Sequence, residues 1–215
     1  MRLLDLFCGA GGAAMGYHRA GFFVVGVDIK AQKNYCGDEF YQADALEFPL
    51  DNFDVYHASP PCQAYSKCTR ITYRKNHPRL ISTIRERLRK TGKPYVIENV
   101  EGARHELIQP VMLCGSMFGL PIRRHRYFEI FPSLTLTLPP CRHIPNPVYI
   151  TGTPRPKDGS PRKDPSADVK RDAMGTPWMT IKNMDEAIPP AYTEFIGRRL
   201  IEVMMARLEE GILPE

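Results

Sequence analysis

The first structural signal is the stretch Arg2-Leu3-Leu4-Asp5-Leu6-Phe7-Cys8-Gly9-Ala10-Gly11-Gly12. Its first five residues predict a short buried strand, because they are mostly apolar and lead into turn-forming residues. The glycines predict a turn in which the backbone can approach a ligand closely, although their spacing is not GxGxxG. A helix is predicted directly afterwards, from Ala13 to Ala20.

Strands and helices continue to alternate along the chain. Further strands are predicted at residues 22–27, 41–43, 53–58, 95–97, 111–114 and 127–131, and further helices at 78–90 and 192–210. This alternation predicts a parallel α/β sheet. Residues 132–177 are rich in proline and are predicted to be mostly loop.

The composition is typical of one globular domain, with or without a small appendage. The chain has 215 residues, of which 43% are hydrophobic and 25% are charged. No apolar run approaches a membrane span, and the charges at Arg2 and Asp5 come too early for a signal peptide, so we expect a cytoplasmic protein without a membrane partner. The six cysteines are scattered and form no CxxC pair, so we expect neither a disulfide framework nor a metal site.

Polar side chains stand at the ends of several predicted strands. They are Asp5, Asp28, Asp44, Cys62 and Glu98-Asn99. Ligands of open α/β sheets bind beyond the carboxyl ends of the strands. Because Asp28 can accept hydrogen bonds from ribose hydroxyls, this residue and the glycine turn together predict an adenine-nucleoside cofactor. A nicotinamide cofactor is also compatible with Asp28 and the glycine turn.

The segment Ser59-Pro60-Pro61-Cys62-Gln63 predicts a cysteine that is presented to a ligand. Two prolines stiffen the backbone, and the basic residues and helix N-termini that follow are expected to favour the nucleophilic thiolate of Cys62. Glu98 is the candidate acid partner. A thiol beside a carboxyl group suits a reaction in which the thiol adds to one atom of a heteroaromatic ring and the carboxyl group protonates another atom of the same ring.

Positive charge is concentrated directly after Cys62. Residues 62–93 contain ten lysines and arginines against Glu86 alone, and a second basic stretch runs from 155 to 171. Such density indicates contact with the phosphates of a nucleic acid. The candidate contacts are Gln63, Ser66, Lys67, Arg70, Arg74, Lys75, Arg155, Lys157, Arg162 and Lys163.

Four ordered motifs resemble those of the cytosine-5 DNA methyltransferase family, in its small bacterial or phage form. They are Asp5-Leu6-Phe7-Cys8-Gly9-Ala10-Gly11-Gly12, Pro60-Pro61-Cys62-Gln63, Glu98-Asn99-Val100 and Arg124-His125-Arg126. The resemblance implies a Rossmann-like S-adenosylmethionine-dependent methyltransferase sheet with helices on both faces. It divides the chain into a catalytic and cofactor-binding domain (1–131), a reduced, loop-rich target-recognition region (132–177) and a C-terminal segment whose helix packs back on the first domain (178–215).

The implied reaction is methylation of cytosine C5 on a base flipped out of the DNA duplex. Cys62 would add to C6, Glu98 would hold and protonate N3, and Arg126 would bind O2, with Asn99 and Arg124 completing the catalytic set. The implied cofactor residues are Asp5, Phe7, Gly9, Gly11, Gly12, Asp28, Ile29, Asp44, Ala45 and Pro60.

The resemblance also implies what the protein binds and where it works. S-adenosyl-L-methionine would be the methyl donor, S-adenosyl-L-homocysteine the product and double-stranded DNA the substrate. We expect a monomer in a bacterial cell or a phage-infected host, for which a cognate restriction enzyme is a candidate partner.

The chain departs from the family pattern in three places. Ile122 stands where a glutamine usually precedes the two arginines, the recognition region is short, and the late Gly-Asn element is absent. The candidates to replace the cofactor contacts of that element are Pro189, Tyr192, Thr193 and Gly197.

Three other functions stay open. An RNA cytosine methyltransferase of the transfer-RNA type would share the fold and the basic stretches. A catalytically silent DNA-binding relative would not need Cys62 and Glu98. A nicotinamide oxidoreductase would account for the glycine turn but not for the diproline-cysteine segment.

Overall fold

A computed structural model describes residues 1–66, 69–152 and 164–209 of the chain. Its strands are β1 (Arg2–Leu6), β2 (Phe23–Asp28), β3 (Glu39–Gln42), β4 (Val55–Ala58), β5 (Tyr95–Asn99), β6 (Val111–Leu113) and β7 (Arg126–Phe131). Its helices are α1 (Gly12–Ala20), α2 (Ile71–Arg74), α3 (Ile81–Lys90), α4 (Ala167–Met174), α5 (Ile181–Glu186) and α6 (Pro190–Glu209), with 3₁₀ turns at Glu101–Glu106 and Gly115–Phe118. None of these helices combines the length and the apolar character of a membrane span.

The strands form one sheet in the order β3-β2-β1-β4-β5-β7-β6. The five strands from β3 to β5 are parallel, whereas β7 lies antiparallel to both β5 and β6. The expectation of a parallel sheet therefore holds for the first five strands and is wrong at this edge. The link from β6 to β7 contains a 3₁₀ turn instead of the helix that a parallel crossover normally uses.

Two hydrophobic layers cover the sheet, one on each face. Leu4 belongs to a buried cluster that includes Ile84 of α3, whereas Leu3 belongs to a second cluster with Tyr17 of α1 and Ile196 of α6. Neighbouring strand residues point to opposite faces, so the apolar run of β1 serves both layers. Helices thus cover both faces, and the expected Rossmann-like fold is confirmed.

The packing of α6 on α1 depends on a glycine. A Cβ atom at Gly16 would overlap the hydroxyl of Thr193 and the carbonyl oxygen of Pro190. The Thr193 hydroxyl donates to the Ala13 carbonyl oxygen at 2.9 Å. Glycine at position 16 therefore allows the start of α6 to lie directly on α1.

The proline-rich region is only partly loop. Residues 132–152 have no regular secondary structure, as expected, but α4 lies at 167–174, where proline density concealed it. Ser166 caps this helix by accepting from the Val169 N–H. Met174 packs in a third buried cluster with Ile150 and with Ile122, the residue that replaces the usual glutamine. Ile122 therefore makes apolar contacts at the position where the family pattern has a polar glutamine.

Candidate active site

A cavity of about 370 Å³ opens at the carboxyl ends of the parallel strands. Its volume is in the range of small-molecule sites. The sequence-predicted residues that line it are Asp5, Phe7, Gly9, Gly12, Asp28, Ile29, Asp44, Ala45, Pro60, Cys62, Gln63, Glu98 and Arg126. Polar groups that the sequence places at separate strand ends thus share one pocket.

The turn after β1 forms one wall of this cavity. Phe7 has a φ of 61° and Gly9 a φ of 50°, a conformation that is costly for a residue with a Cβ atom such as Phe7. The Gly9 N–H donates to Asp28 Oδ2 at 3.0 Å, which ties the turn to the end of β2. A Cβ atom at Gly9 would meet no protein atom within 4 Å, so the space beside it belongs to the cavity.

The next two glycines of the turn have packing roles. Gly11, with a φ of 85°, precedes α1 and is not among the residues that line the cavity. Gly12 lines the cavity, but a Cβ atom there would overlap the carbonyl oxygen of Ile188. Glycine at position 12 therefore lets the segment after α5 close over the turn.

Asp28 and Asp44 are two carboxylates of the cavity lining that are not fully buried. Asp28 Oδ1 accepts from the Lys30 N–H at 2.9 Å, and Asp44 Oδ1 accepts from the Leu46 N–H at 2.8 Å. Each bond fixes the carboxylate on its loop and leaves acceptor capacity free. The two side chains can therefore accept hydrogen bonds from the hydroxyl and amino groups of a nucleoside.

Asp5 is the most unusual group in the cavity. Its side chain is fully buried, and neither carboxylate oxygen has a well-aligned hydrogen-bond donor among the described residues, although the Ala14 backbone N–H is close enough to lower the pKa of the carboxyl group. Burial raises the pKa of Asp5 well above its usual value, and the negative charge of Asp28 raises it further. A buried carboxyl group that lines a pocket and lacks a well-aligned donor fits a ligand with a positive charge, such as the sulfonium and ammonium groups of S-adenosylmethionine.

Cys62 lines the cavity on a bend held from β5. The Asn99 side-chain amide donates to the Pro60 carbonyl oxygen at 2.9 Å, and the Cys62 carbonyl oxygen accepts from Tyr65 N and Ser66 N. Burial raises the pKa of the Cys62 thiol, the charge of Glu98 raises it further, and Arg126 lowers it. The expectation that the surroundings favour the thiolate is therefore wrong for the free protein, because burial and Glu98 outweigh the nearby cation.

Glu98 and Arg126 meet where β5 and β7 pair. Their Oε1 and Nε atoms are 3.1 Å apart, and both side chains are largely buried. Burial raises the pKa of Glu98, although Arg126, Arg124 and the Ser59 hydroxyl lower it. No hydrogen-bond donor in the described part of the chain is aligned with Glu98 Oε1, so the contact of this oxygen with Arg126 is an ion pair without a well-directed hydrogen bond.

A buried polar chain leads from Glu98 into the core. His57 Nε2 lies 2.8 Å from Ser59 Oγ, and His57 Nδ1 lies 3.0 Å from the Tyr17 hydroxyl. Burial lowers the pKa of His57 to about 3, so the ring is neutral at physiological pH. A neutral imidazole donates at one nitrogen and accepts at the other, so His57 orients the Ser59 hydroxyl beside Glu98.

Arg124 lies outside the cavity lining and holds its far wall. Its guanidinium donates to the carbonyl oxygens of Ala187, Met184 and Asp185. Sequence reasoning missed the wall that Arg124 supports, because that wall comes from a distant part of the chain. It consists of Asn183, Glu186, Ala187 and Ile188.

The proposed replacements for the late Gly-Asn element do not line the cavity. The Tyr192 hydroxyl donates to the Arg124 carbonyl oxygen at 2.6 Å, and Tyr192 is fully buried. Gly197 lies against Tyr17 and Ala20 of α1. Pro189, Tyr192, Thr193 and Gly197 are therefore not among the lining residues.

The candidate nucleic-acid contacts lie in four different settings. Gln63 lines the cavity, and its Nε2 donates to Glu186 Oε1 at 3.4 Å. Arg70 and Lys75 are exposed, whereas Arg74 donates from Nε to the Thr69 carbonyl oxygen. Ser66 follows Cys62 on the same bend. Lys67, Arg155, Lys157, Arg162 and Lys163 lie outside the described residues.

The strand order, the helices on both faces and the nucleoside-sized cavity at the strand ends define an S-adenosylmethionine-dependent methyltransferase fold. A sequence model described as C-5 cytosine-specific DNA methylase matches residues 1–109, half of the chain. The chain belongs to this family, whose methyl donor is S-adenosylmethionine. No curated protein matches the sequence.

Several solved structures resemble the fold. The Entamoeba histolytica methyltransferase EhMeth has a TM-score of 0.60 at 12% identity, covering 95% of this chain and 98% of that one. The Schizosaccharomyces pombe methyltransferase Dnmt2 has a TM-score of 0.59 at 13% identity, covering 94% and 99%. A prophage-encoded Escherichia coli protein, described as a DNA modification methyltransferase, has a TM-score of 0.49 at 22% identity over 70% of this chain. The match spans about half, 53%, of that prophage protein.

Proposed function

We propose that the protein methylates C5 of cytosine in double-stranded DNA through a covalent bond between Cys62 and the base. The observation that supports this proposal most directly is that Cys62, Glu98 and Arg126 line the same cavity as Asp28 and Asp44. A nucleophile, a proton-holding carboxyl group and a cation therefore lie beside a pocket suited to the methyl donor.

The proposed reaction begins at Cys62. The Sγ proton passes to water, Sγ adds to C6 of cytosine, and the electron pair of the C5–C6 double bond makes C5 nucleophilic. Glu98 holds a proton at N3, which the raised pKa of its carboxyl group favours, and Arg126 donates to O2. Both contacts offset the negative charge that develops on the ring.

The bound donor supplies an electrophilic methyl group. Once C5 carries this group, transfer of the C5 proton to water restores the double bond and expels the Cys62 thiolate. Asn99 maintains the position of the nucleophile because its amide holds the diproline bend. The pair formed by Glu98 and Arg126 is buried, which limits competition by water.

DNA is the proposed substrate because of the family and the charges near Cys62. A cytosine must leave the duplex before a thiol can reach C6. Arg70 and Lys75 are exposed a few residues beyond Cys62, where they can contact the phosphates that flank a flipped base. Residues 132–177 are the proposed target-recognition region.

Trapping with 5-fluorocytosine tests the substrate and the nucleophile together. Purified protein is incubated with labelled S-adenosylmethionine and either duplex DNA or a transfer RNA, each containing 5-fluorocytosine. We expect a covalent protein–DNA adduct in the wild type and none in Cys62→Ser, because fluorine at C5 blocks the elimination that frees the thiol. An adduct on transfer RNA alone would reassign the substrate, and an adduct formed by Cys62→Ser would reject the assigned nucleophile.

A further inference from the structure

Four potential metal ligands converge outside the cavity. Cys114 follows β6, His125 precedes β7, and Cys141 and His143 lie in the loop after β7. One ligand atom of each residue lies within 4.8 Å of all the others. The convergence is tertiary, since the segments that carry the residues are separated along the chain.

Four of the six separations among the ligand atoms lie within about 0.5 Å of those of one tetrahedral centre. Zinc–sulfur bonds of about 2.3 Å and zinc–nitrogen bonds of about 2.0–2.1 Å place two nitrogens about 3.3 Å apart and sulfur about 3.6 Å from nitrogen. His125 Nε2 and His143 Nε2 are 3.1 Å apart. Cys141 Sγ lies 3.1 Å from His143 Nε2 and 3.5 Å from His125 Nε2, and Cys114 Sγ lies 3.5 Å from His143 Nε2.

We propose that Cys114 Sγ, His125 Nε2, Cys141 Sγ and His143 Nε2 bind a structural Zn²⁺ ion. Two thiolates and two imidazoles form a complete tetrahedral ligand set, which leaves no open position for catalysis. The two thiolate charges balance the charge of the ion, which suits a site where Cys114 is fully buried. The sequence expectation that no metal is bound rested on the lack of a CxxC pair, which this site does not use.

Hydrogen bonding accounts for this arrangement less completely than a metal ion does. Two imidazole nitrogens that face each other at 3.1 Å can share only one proton between them. The Ser116 hydroxyl is 3.5 Å from Cys114 Sγ and 3.7 Å from Cys141 Sγ, so it can donate to sulfur from behind. Outer hydrogen bonds of this kind orient metal ligands.

The ion would fasten the loop after β7 to the antiparallel edge of the sheet. His125 lies between Arg124, which holds the cavity wall, and Arg126, which pairs with Glu98. A ligand at position 125 would therefore fix the backbone from which both arginines project. The site is outside the cavity and does not depend on which nucleic acid is methylated.

Metal content tests the proposal directly. Tag-free protein, purified without chelator, is analysed by inductively coupled plasma mass spectrometry, and we expect about one zinc per chain. The variants Cys141→Ser and His143→Asn should retain less than about a tenth of this zinc. The matched controls Cys36→Ser and His105→Asn alter a cysteine and an exposed histidine outside the cluster and should keep the wild-type content.

Cobalt substitution provides a second readout that does not depend on the folding of a variant. Chelator-treated wild-type protein should bind Co²⁺ and show the visible absorption of a tetrahedral thiolate site. Zinc-free wild-type protein that also fails to take up cobalt would overturn the proposal. A disulfide between Cys114 and Cys141 in freshly purified protein, detected by peptide mass spectrometry, would also overturn it.

Discussion

Arg85 of α3 and Glu129 of β7 form a buried two-point ion pair. The Nε–Oε1 distance is 2.7 Å and the Nη2–Oε2 distance is 2.6 Å. Glu129 also accepts from the Tyr95 hydroxyl and from the Ile108 N–H. The antiparallel strand of the sheet is therefore joined to the helix layer by charge-assisted hydrogen bonds, which are stronger than neutral ones.

Removal of one partner of this pair should destabilise the fold more than removal of both. Glu129→Leu should lower the free energy of unfolding by about 3–5 kcal/mol, because Arg85 would be left as an unpaired buried charge. The double variant Arg85→Met/Glu129→Leu should recover part of this loss. Urea denaturation measures both values. A loss below about 1 kcal/mol for Glu129→Leu would contradict the expectation.

The reactivity of Cys62 should respond in opposite directions to changes at Glu98 and Arg126. Glu98→Gln removes a charge that raises the pKa of the thiol, and Arg126→Gln removes one that lowers it. At a pH near 7.5, iodoacetamide should therefore alkylate Cys62 faster in Glu98→Gln and more slowly in Arg126→Gln than in the wild type. Peptide mass spectrometry follows Cys62 separately from the other cysteines.

The exposed Glu86→Gln is the charge-matched control for this experiment. It should leave the alkylation rate of Cys62 unchanged. A shift in the same direction for Glu98→Gln and Arg126→Gln would show that altered access, and not charge, governs the rate.

Asp5→Asn should stabilise the free protein and weaken donor binding. The pKa of Asp5 is raised in the fold, so its ionised form destabilises the folded state above the unfolded pKa. The stability gain of Asn should consequently be larger at pH 8 than at pH 4. Loss of a charge-assisted contact should weaken S-adenosylhomocysteine binding by about 1.5–3 kcal/mol.

Thermal melting and calorimetric titration measure these two effects of Asp5→Asn. The exposed Asp51→Asn provides the control and should change neither the melting temperature nor the affinity. Unchanged affinity in Asp5→Asn would remove Asp5 from the cofactor site.

His57 should make the protein sensitive to mild acid. Its pKa is lowered to about 3 in the fold, below the usual value of 6.5, so the unfolded chain binds the extra proton between these two pH values. The stabilising contribution of neutral His57 is complete above pH 6.5 and should fall by about 2 kcal/mol between pH 6.5 and 5. His57→Gln should reduce this pH dependence, whereas the exposed His105→Asn should retain it.

The DNA site should be short. The proposed recognition region, residues 132–177, is short, and each good base contact discriminates by about 1–3 kcal/mol. We therefore expect recognition of roughly two to four base pairs. Bisulfite sequencing of plasmid DNA from expressing cells, compared with cells expressing Cys62→Ser, measures the site. Strict recognition of six or more pairs would contradict this expectation.

Local signals were sufficient to predict which residues after the first strands line the cavity. A strand followed by glycines predicts the turn near Phe7. The position of Asp28 at the end of the next strand predicts that its carboxylate lies at the same edge of the sheet. The two prolines directly before Cys62 predict that its side chain is presented to a ligand. These features depend on neighbours in the chain, so the sequence displays them directly.

Features that depend on tertiary contacts were missed or predicted wrongly. The Arg124 guanidinium was expected in the catalytic set, yet its partners are carbonyl oxygens some sixty positions away. The basic residues near Cys62 in the sequence predict a thiolate. That prediction fails because burial and Glu98 raise the pKa of the thiol, and both effects exist only in the folded protein. The cysteine and histidine cluster is invisible to a spacing rule for the same reason.

The contact between Gly12 and Ile188 joins two walls of the cavity that are synthesised at different times. The glycine turn and the strands around Asp28 and Cys62 leave the ribosome long before residues 183–188, which complete the opposite wall. A nascent chain therefore lacks this wall of the cavity through most of translation. Tight capture of the methyl donor must wait until the segment after α5 has emerged and docked, so a ribosome-bound fragment that ends before it should bind the donor poorly.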